Sequence, residues 1–454
     1  MENSRKSNCD LAGRVADALA PALRSGNSIL VGLSGGVDSV VLLHLLHQLA
    51  PRYSWKLSAL HVHHGISSHA GDWAAFCTEL CAAYDIPLQI ERVDIAPLRA
   101  HGIEAAARKL RHAALDRQSV DFIALAHHQD DQAETMLLQL LRGAGLRGAS
   151  AMPVIRQRAG HPAQLRPLLD VARSELLAYA QQHDLRWVED ESNADDSYPR
   201  NFLRHRVLPE LEQRFPAYRE TLSRSARHFA EASELLDELA QQDAQGALRN
   251  GGLEVARLQA LSLPRAKNLL RYFLHSLGAP MPQAVQLDEM LLQLCDARQG
   301  AAVQIVFGDW QLRRYRDRAY AFPVLPEPAA EFCAQWRGES VLELSELGGT
   351  LHFDPAVGHG LSLEKLQQAA VIVRLRQGAE KIRPDCKRPT RTLKNLLQEQ
   401  GIPPWQRDRL PLLFCGGTLV AVPGIGVACE YQAAQDEAGV VLRWSAASGV
   451  AAVG

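Results

Sequence analysis

The sequence predicts an α/β protein built on a parallel, doubly wound sheet, followed by a mainly helical middle domain and a small α+β C-terminal domain. Three observations carry this prediction. Short apolar runs alternate with helical patterns up to about residue 215; the strand signal fades between 217 and 292; and a segment with strand and turn signals returns after Pro323, Pro326 and Pro328.

The apolar runs at 28–33 (SILVGL), 57–62 (LSALHV), 88–93 (LQIERV) and 122–126 (FIALA) read as strands buried on both faces. Helical patterns follow each of them, at 37–49, 71–84, 104–118 and 131–141. Such alternation implies a sheet covered on both sides, with ligands at the carboxyl tips of its strands. Farther on, HFAEASELLDELAQQ and RAKNLLRYFLHSL carry helical spacing, and VQIVFGDWQLRRYRDRAYAF reads as a hairpin turning at Gly308-Asp309. The expected domains are 1–216, 217–330 and 341–442.

Composition narrows the classes. A chain of 454 residues with 47% apolar and 22% charged residues has enough core for two to four domains and is not a disordered polymer. No apolar run approaches the ~20 residues of a spanning helix, and the N-terminal stretch lacks a signal peptide's apolar core. Eight scattered cysteines argue against a disulfide framework and for a reducing cytoplasm. The net charge of −2 excludes a protein that coats nucleic acid nonspecifically, so any polyanion site is local.

The strongest motif is Ser34-Gly35-Gly36-Val37-Asp38-Ser39, between the first strand and its helix. Paired glycines let backbone approach a ligand, the helix start offers free N–H groups, and the two serines add hydroxyls. Together they form an anion cradle for a nucleotide pyrophosphate, and Asp38 is assigned to Mg²⁺, without which it would repel phosphate. The loop lacks the GK[ST] ending of a Walker A motif. At the second strand tip, His61, His63, His64 and His69 have no spacing for tetrahedral zinc, and this tip suits adenine and ribose, with His63 in the nucleotide site. Arg108 and Arg111 share one helix face, either beside the phosphates or as a solvated basic face. Asp130 is an expected N-cap. Asp131 and Glu134, at i and i+3, suit an ammonium group or Mg²⁺, or a helix dipole.

The SGGVDS signature resembles the PP-loop pyrophosphatase superfamily, which implies ATP cleaved between its α and β phosphates and AMP transferred to a substrate oxygen. SGGVDS, HVHHG, EAAARKLR, HHQDDQAET and RGAGLRGASAMP occur in the order seen in the bacterial tRNA(Ile)-lysidine synthetase family. The segments EDESNAD and RNFLR, and the later EKIRPDCKRPTRTLKNLLQEQGIPPWQRDRLPLLFCGGTLVAVPGIGV, are similar to that family too. The likeness covers most of 28–215 and 372–427; Ser67 departs from the family's HGLR stretch. It implies a ligase that adenylates the wobble cytidine of an isoleucine tRNA with a CAU anticodon, then replaces AMP with L-lysine. On this resemblance Ser34, Gly35, Gly36, Val37, Asp38, Ser39 and His63 bind ATP, and Arg108 and Arg111 stabilise the adenylation transition state. Asp131 and Glu134 receive lysine, and Asn193, Arg200, Asn201 and Arg204 line the cleft for the anticodon loop. No membrane partner is expected, and a homodimer is allowed.

Residues 374–409 hold ten Lys/Arg against four Asp/Glu, a local +6 in an otherwise acidic chain. Lys381, Arg383, Lys387 and Arg388 precede a short helix at 392–400 whose Leu393, Leu396 and Leu397 face inward while Arg391 and Lys394 face outward. This pattern fits contact with an RNA backbone, which supplies affinity and salt dependence rather than sequence choice. Trp405 reads as a core residue rather than a base-stacking one. Two other readings stay open: a PP-loop tRNA sulfurtransferase, against which stands the lack of any C-x-x-C, and a nucleotide sensor without turnover.

Overall fold

The computed structural model describes residues 10–65, 67, 69–96, 103–158, 160–189, 191, 195–249, 251–298, 301, 303–329 and 331–446. They form two compact units, residues 1–235 and 236–454.

In the first unit, α1 (Leu11–Leu19) leads into β1 (Ser28–Gly32), α2 (Val37–Tyr53), β2 (Lys56–His63), α3 (Ala70–Ala83), β3 (Leu88–Arg92), α4 (Ile103–Asp116), β4 (Phe122–Ala124) and α5 (Gln129–Leu141). The short α6 (Leu146–Ala149), β5 (Ile155–Arg156), β6 (Ala163–Leu165) and α7 (Arg173–Gln182) follow. The sheet order is β3-β2-β1-β4-β6-β5, parallel except for the edge strand β5. From β1 the chain winds outward through β2 and β3, then returns to place β4 on the other side of β1. The crevice between β1 and β4 is therefore the topological switch point, where such sheets bind ligands. Helix α2 is apolar nearly all round because it is buried on several sides: Val41, Leu42, Leu43, Leu45 and Leu46 are fully enclosed in the main core.

Two local expectations are corrected. Strand β3 is an edge, with Ile90 40% exposed, so it is not buried on both faces. Asp130 is not the N-cap of α5. The helix is capped at His128, whose N–H donates to Asp131 Oδ2 at 3.0 Å.

After α7 come α8 (Pro199–Phe202), a π-helical turn (Leu203–Val207), α9 (Leu208–Arg214) and the long α10 (Tyr218–Ala244), which carries the chain into the second unit. There β7 (Leu248–Arg249) and β8 (Gly252–Glu254) precede α11 (Val255–Ala260), α12 (Leu263–Ser276) and α13 (Ala284–Asp296). With β9 (Gln304–Phe307), β10 (Trp310–Tyr315) and β11 (Arg318–Pro323) they complete an antiparallel sheet, β7-β8-β11-β10-β9. The expected turn at Gly308-Asp309 joins β9 to β10, and a third strand extends the hairpin into a meander. Strands β7 and β8 lie where the sequence shows no strand signal, because two or three residues are too few to display a period of two.

Residues 333–446 form a five-stranded and a four-stranded antiparallel sheet around Leu351, Phe353, Val373, Leu413, Phe414 and Val420. The helix Leu393–Glu399 buries Leu393 and Leu397 and leaves Lys394 exposed. Trp405 lies among rings, stacked on Phe322 at 5.6 Å and edge-on to Tyr315 and Tyr320. A disulfide joins Cys386 to Cys429, a single bond rather than a framework, and five other cysteines among the described residues are free.

Candidate functional site

The phosphate-type loop sits at the tip of β1. Gly35 has φ +88°, a left-handed backbone, and a Cβ there would lie 2.8 Å from Val188 Cγ2. Val188 N–H in turn donates to Gly35 O at 3.0 Å, so the loop is pinned from outside. Inside, Ser39 Oγ donates to Gly36 O at 2.9 Å and lies 3.1 Å from Ser34 Oγ. The serine hydroxyls thus hold the turn open for its backbone N–H groups. Gly36 caps α2 with no side chain in the way, and Val37 is buried beneath.

Asp38, on the first turn of α2, points toward the tip of β4. Its Oδ2 is 3.7 Å from His128 Nε2, whereas Oδ1 is buried and has no hydrogen-bond partner. Burial raises its carboxyl pKa, and the charge of Asp131 adds to this against the opposing pull of His128, Arg173 and Arg204. A buried carboxylate oxygen with a vacant lone pair, near a second carboxylate, fits a hard divalent cation.

The tip of β4 supplies the other half. Its ladder with β6 continues as a bridge between His128 and Leu168, which fixes the start of α5. His128 is almost fully buried among three carboxylates: Nε2 is 3.4 Å from Asp131 Oδ2, and Nδ1 is 3.6 Å from Asp130 Oδ2. Burial alone would push its pKa down; Asp130, Asp131 and Asp38 together outweigh that and raise it. The adjacent His127 goes the other way. Burial forces it down to about 3, and it stays neutral.

Asp131 and Glu134 meet two arginines from the α8 segment, more than sixty residues along the chain. Arg200 Nε donates to Glu134 Oε2 at 2.6 Å and its Nη2 to Asp131 Oδ1 at 3.0 Å. Arg204 donates to both Glu134 oxygens, at 2.7 and 2.9 Å. Glu134 is 1% exposed, and the two cations offset the cost of burying it. Arg200 and Arg204 lie four apart, one on α8 and one on the π-helical turn, so both reach the same carboxylate. Beneath them is a polar cavity of about 160 Å³ lined by Asp130, Glu134, Arg173, Arg204, Tyr218 and Arg219, among others. Arg219 closes it by bonding Asp130 at 2.6 Å and Glu212 at 2.6 and 3.0 Å.

Other expected residues are placed as follows. His63 ends β2 and is half-buried; its neighbour His61 is buried with Nδ1 2.9 Å from Leu33 O. Arg108 and Arg111 are exposed on α4, and the charge of Arg108 reaches His127 and Arg166. Asn201 turns inward to donate to Asp195 O at 2.9 Å. Asn193 lies outside the described residues. Ser67, the departure from the family pattern, accepts from His69 N–H at 3.1 Å. In the second unit Arg383 pairs with Glu430, Arg388 with Asp385 and Arg391 with Glu399, while Lys381, Lys387 and Lys394 are exposed.

Sequence reasoning missed His128, Arg173, Arg219 and Arg166. The first had a signal, two histidines between a strand and paired acids. Arg166 at the tip of β6 had none. It is buried, donates to Pro153 O and Gln164 Oε1, and is lowered to about 10 by burial and by Arg156, Arg108 and Arg158. The nearest cysteine pair, Cys77 and Cys81, is buried with thiols pushed up to about 12 and about 11, which suits packing and not thiolate chemistry.

The chain's similarity to known proteins follows the same division. A family model described as a PP-loop domain matches residues 8–211, a TilS substrate binding domain matches 253–320, and a TilS substrate C-terminal domain matches 371–444. The tRNA(Ile)-lysidine synthase of Nitrosomonas europaea is 45% identical, over 94% of this chain and 93% of the relative. The proteins of the same name from Azoarcus sp. and Aromatoleum aromaticum are each 42% identical, over 97% and 95% of this chain and 96% and 99% of theirs.

Proposed function

Because the chain belongs to the tRNA(Ile)-lysidine synthase family, we propose that it adenylates the wobble cytidine of an isoleucine tRNA with a CAU anticodon and replaces AMP with L-lysine. In the first step the ring carbonyl oxygen of cytidine attacks the α-phosphorus of ATP and pyrophosphate leaves. In the second the lysine amine attacks the activated ring carbon, loses a proton, and AMP leaves.

The observation that carries this reading is the meeting, at the β1/β4 switch point, of a pinned glycine turn with Asp38, Asp131 and Glu134. The N–H groups at the start of α2 bind pyrophosphate oxygens. Asp38, with Oδ1 unpartnered, would hold Mg²⁺, which supplies charge neutralisation at the phosphates. The His128 ring lies between Asp38, Asp130 and Asp131 and keeps the three carboxylates apart. Arg108 and Arg111 face the charge that builds on the α-phosphate. Asp131 and Glu134 receive the lysine ammonium in exchange for Arg200 and Arg204, so the buried carboxylates never lose a cation. The released guanidiniums then face the anticodon loop, with Asn201 bracing the segment that carries them through Asp195 O; Asn193 is assigned to the same cleft on the family resemblance. Lys381, Arg383, Lys387, Arg388, Arg391 and Lys394 contact the tRNA backbone elsewhere. No helix among the described residues is long and apolar enough to cross a membrane, which suits work on tRNA in the cytoplasm.

The test is incubation of the purified protein with ATP, labelled lysine and CAU-anticodon isoleucine tRNA. Label should enter RNA with one AMP and one pyrophosphate per event. Formation of ADP and orthophosphate, or uptake of sulfur in place of lysine, would overturn the reading.

A further inference from the structure

We propose that Cys386 and Cys429 are a reversible thiol–disulfide pair whose oxidation state sets the tRNA affinity of the basic loop they clamp. The inference rests on that loop being a tRNA contact. The two residues are 43 positions apart in sequence, and their Cα atoms are 5.3 Å apart, inside the ~4.4–6.8 Å range a disulfide spans. Among the described residues Cys77, Cys81 and Cys415 are buried, Cys295 is half-buried, and Cys333 is exposed and unpaired.

Cys386 is exposed and lies in the loop that carries Lys381, Arg383, Lys387 and Arg388. Cys429 is half-buried in the short turn Cys429–Tyr431. The surroundings bring the thiols together without the covalent bond. Cys429 N–H donates to Arg383 O at 2.8 Å, Gln432 Nε2 donates to Pro384 O at 2.7 Å, and Arg383 pairs with Glu430 at 2.6 Å. These ties hold the loop at Arg383 and Pro384, and Cys386 Sγ lies 3.8 Å from Gln432 Oε1. From Lys387 to the strand that begins at Arg391, the hydrogen bonds among the described residues stay within the loop: Lys387 N–H donates to Asp385 Oδ1 at 2.9 Å and Arg388 N–H to Asp385 O at 3.0 Å. The ladder pairs Ile382–Arg391 and Lys381–Thr392 tie the far end of the loop, so the disulfide adds a covalent hold at the near end of the four residues 387–390, which carry Lys387 and Arg388.

The chemistry balances with a low-molecular-weight disulfide such as oxidised glutathione. One protein thiolate attacks it, releasing one small thiol; the second displaces the other from the mixed disulfide. The two cysteines lose two protons and two electrons, and the small disulfide becomes two thiols. Holding the cations in place beforehand removes part of the ordering cost of binding, so the oxidised form binds tRNA more tightly.

The experiment uses the full-length protein carrying Cys333→Ser, equilibrated with oxidised glutathione or with dithiothreitol. Alkylation and peptide mass analysis should show Cys386 linked to Cys429 only in the oxidised sample. The tRNA Kd should be about 3- to 10-fold weaker after reduction. Cys386→Ser and Cys429→Ser should each match the reduced protein under both conditions. Free thiols after oxidation, or equal Kd in linked and reduced forms, would overturn the proposal. Lys387→Glu with Arg388→Glu separates the premise from the inference: if that reversal leaves tRNA affinity unchanged, the loop is no tRNA contact, and the proposal falls with its premise while the cross-link itself stands.

Discussion

Glu134 is enclosed on every side and pairs with two guanidiniums. Glu134→Gln would leave Arg200 and Arg204 to share Asp131 alone and should cost about 3 kcal/mol in urea unfolding, far more than any surface ion pair. Asp38→Asn should behave oppositely, with stability nearly unchanged, tRNA binding retained and AMP formation abolished in a pyrophosphate-release assay. His127 gives a pH signature. Its folded pKa of about 3 is depressed below the ordinary ~6.5, so the unfolded chain binds the extra proton between those values. Its contribution to stability is therefore present above about 6.5 and is lost as pH falls toward 3. The melting temperature of the parent should drop through this window, and His127→Gln should drop less steeply; equal slopes would exclude the assignment.

The turn between β1 and α2 is the element on which nucleotide binding rests. Gly35→Ala forces a left-handed φ on a side chain and drives its Cβ into Val188, so it should cost at least ~1 kcal/mol and raise the KM for ATP several-fold. This turn was legible in the sequence because its chemistry is local: two glycines, a strand before and a helix after. The strands and helices around it were legible for the same reason, and each falls within a few residues of its apolar run. What lay hidden was non-local. Arg200 and Arg204 read as cations for RNA, since nothing in RNFLR shows that Glu134 waits for them across the fold. The capping role of Asp131 depended on where the helix begins, which periodicity locates only loosely. The pairing of Cys386 with Cys429 needed a folded sheet to bring the two segments together.

Across the whole molecule the charge is divided in kind as well as in amount. In the first unit Arg200 and Arg204 are paired with the enclosed Asp131 and Glu134, while the C-terminal region leaves Lys381, Lys387 and Lys394 in solvent. Reversing Arg391 and Lys394 to Glu should weaken tRNA binding and lower the slope of log Kd against log salt by about 2, at ~0.7–0.9 for each phosphate no longer neutralised. An unchanged slope would remove that helix from the interface. The saturated acids of the first unit have a different consequence, one that concerns waste. An enzyme that activates an oxygen with a nucleotide risks handing the nucleotide to water whenever it stands idle. With Asp131 and Glu134 both occupied by guanidiniums, neither carboxylate is free to strip a proton from a stray water molecule. The resting protein should consume its fuel far more slowly alone than when RNA and amino acid arrive together.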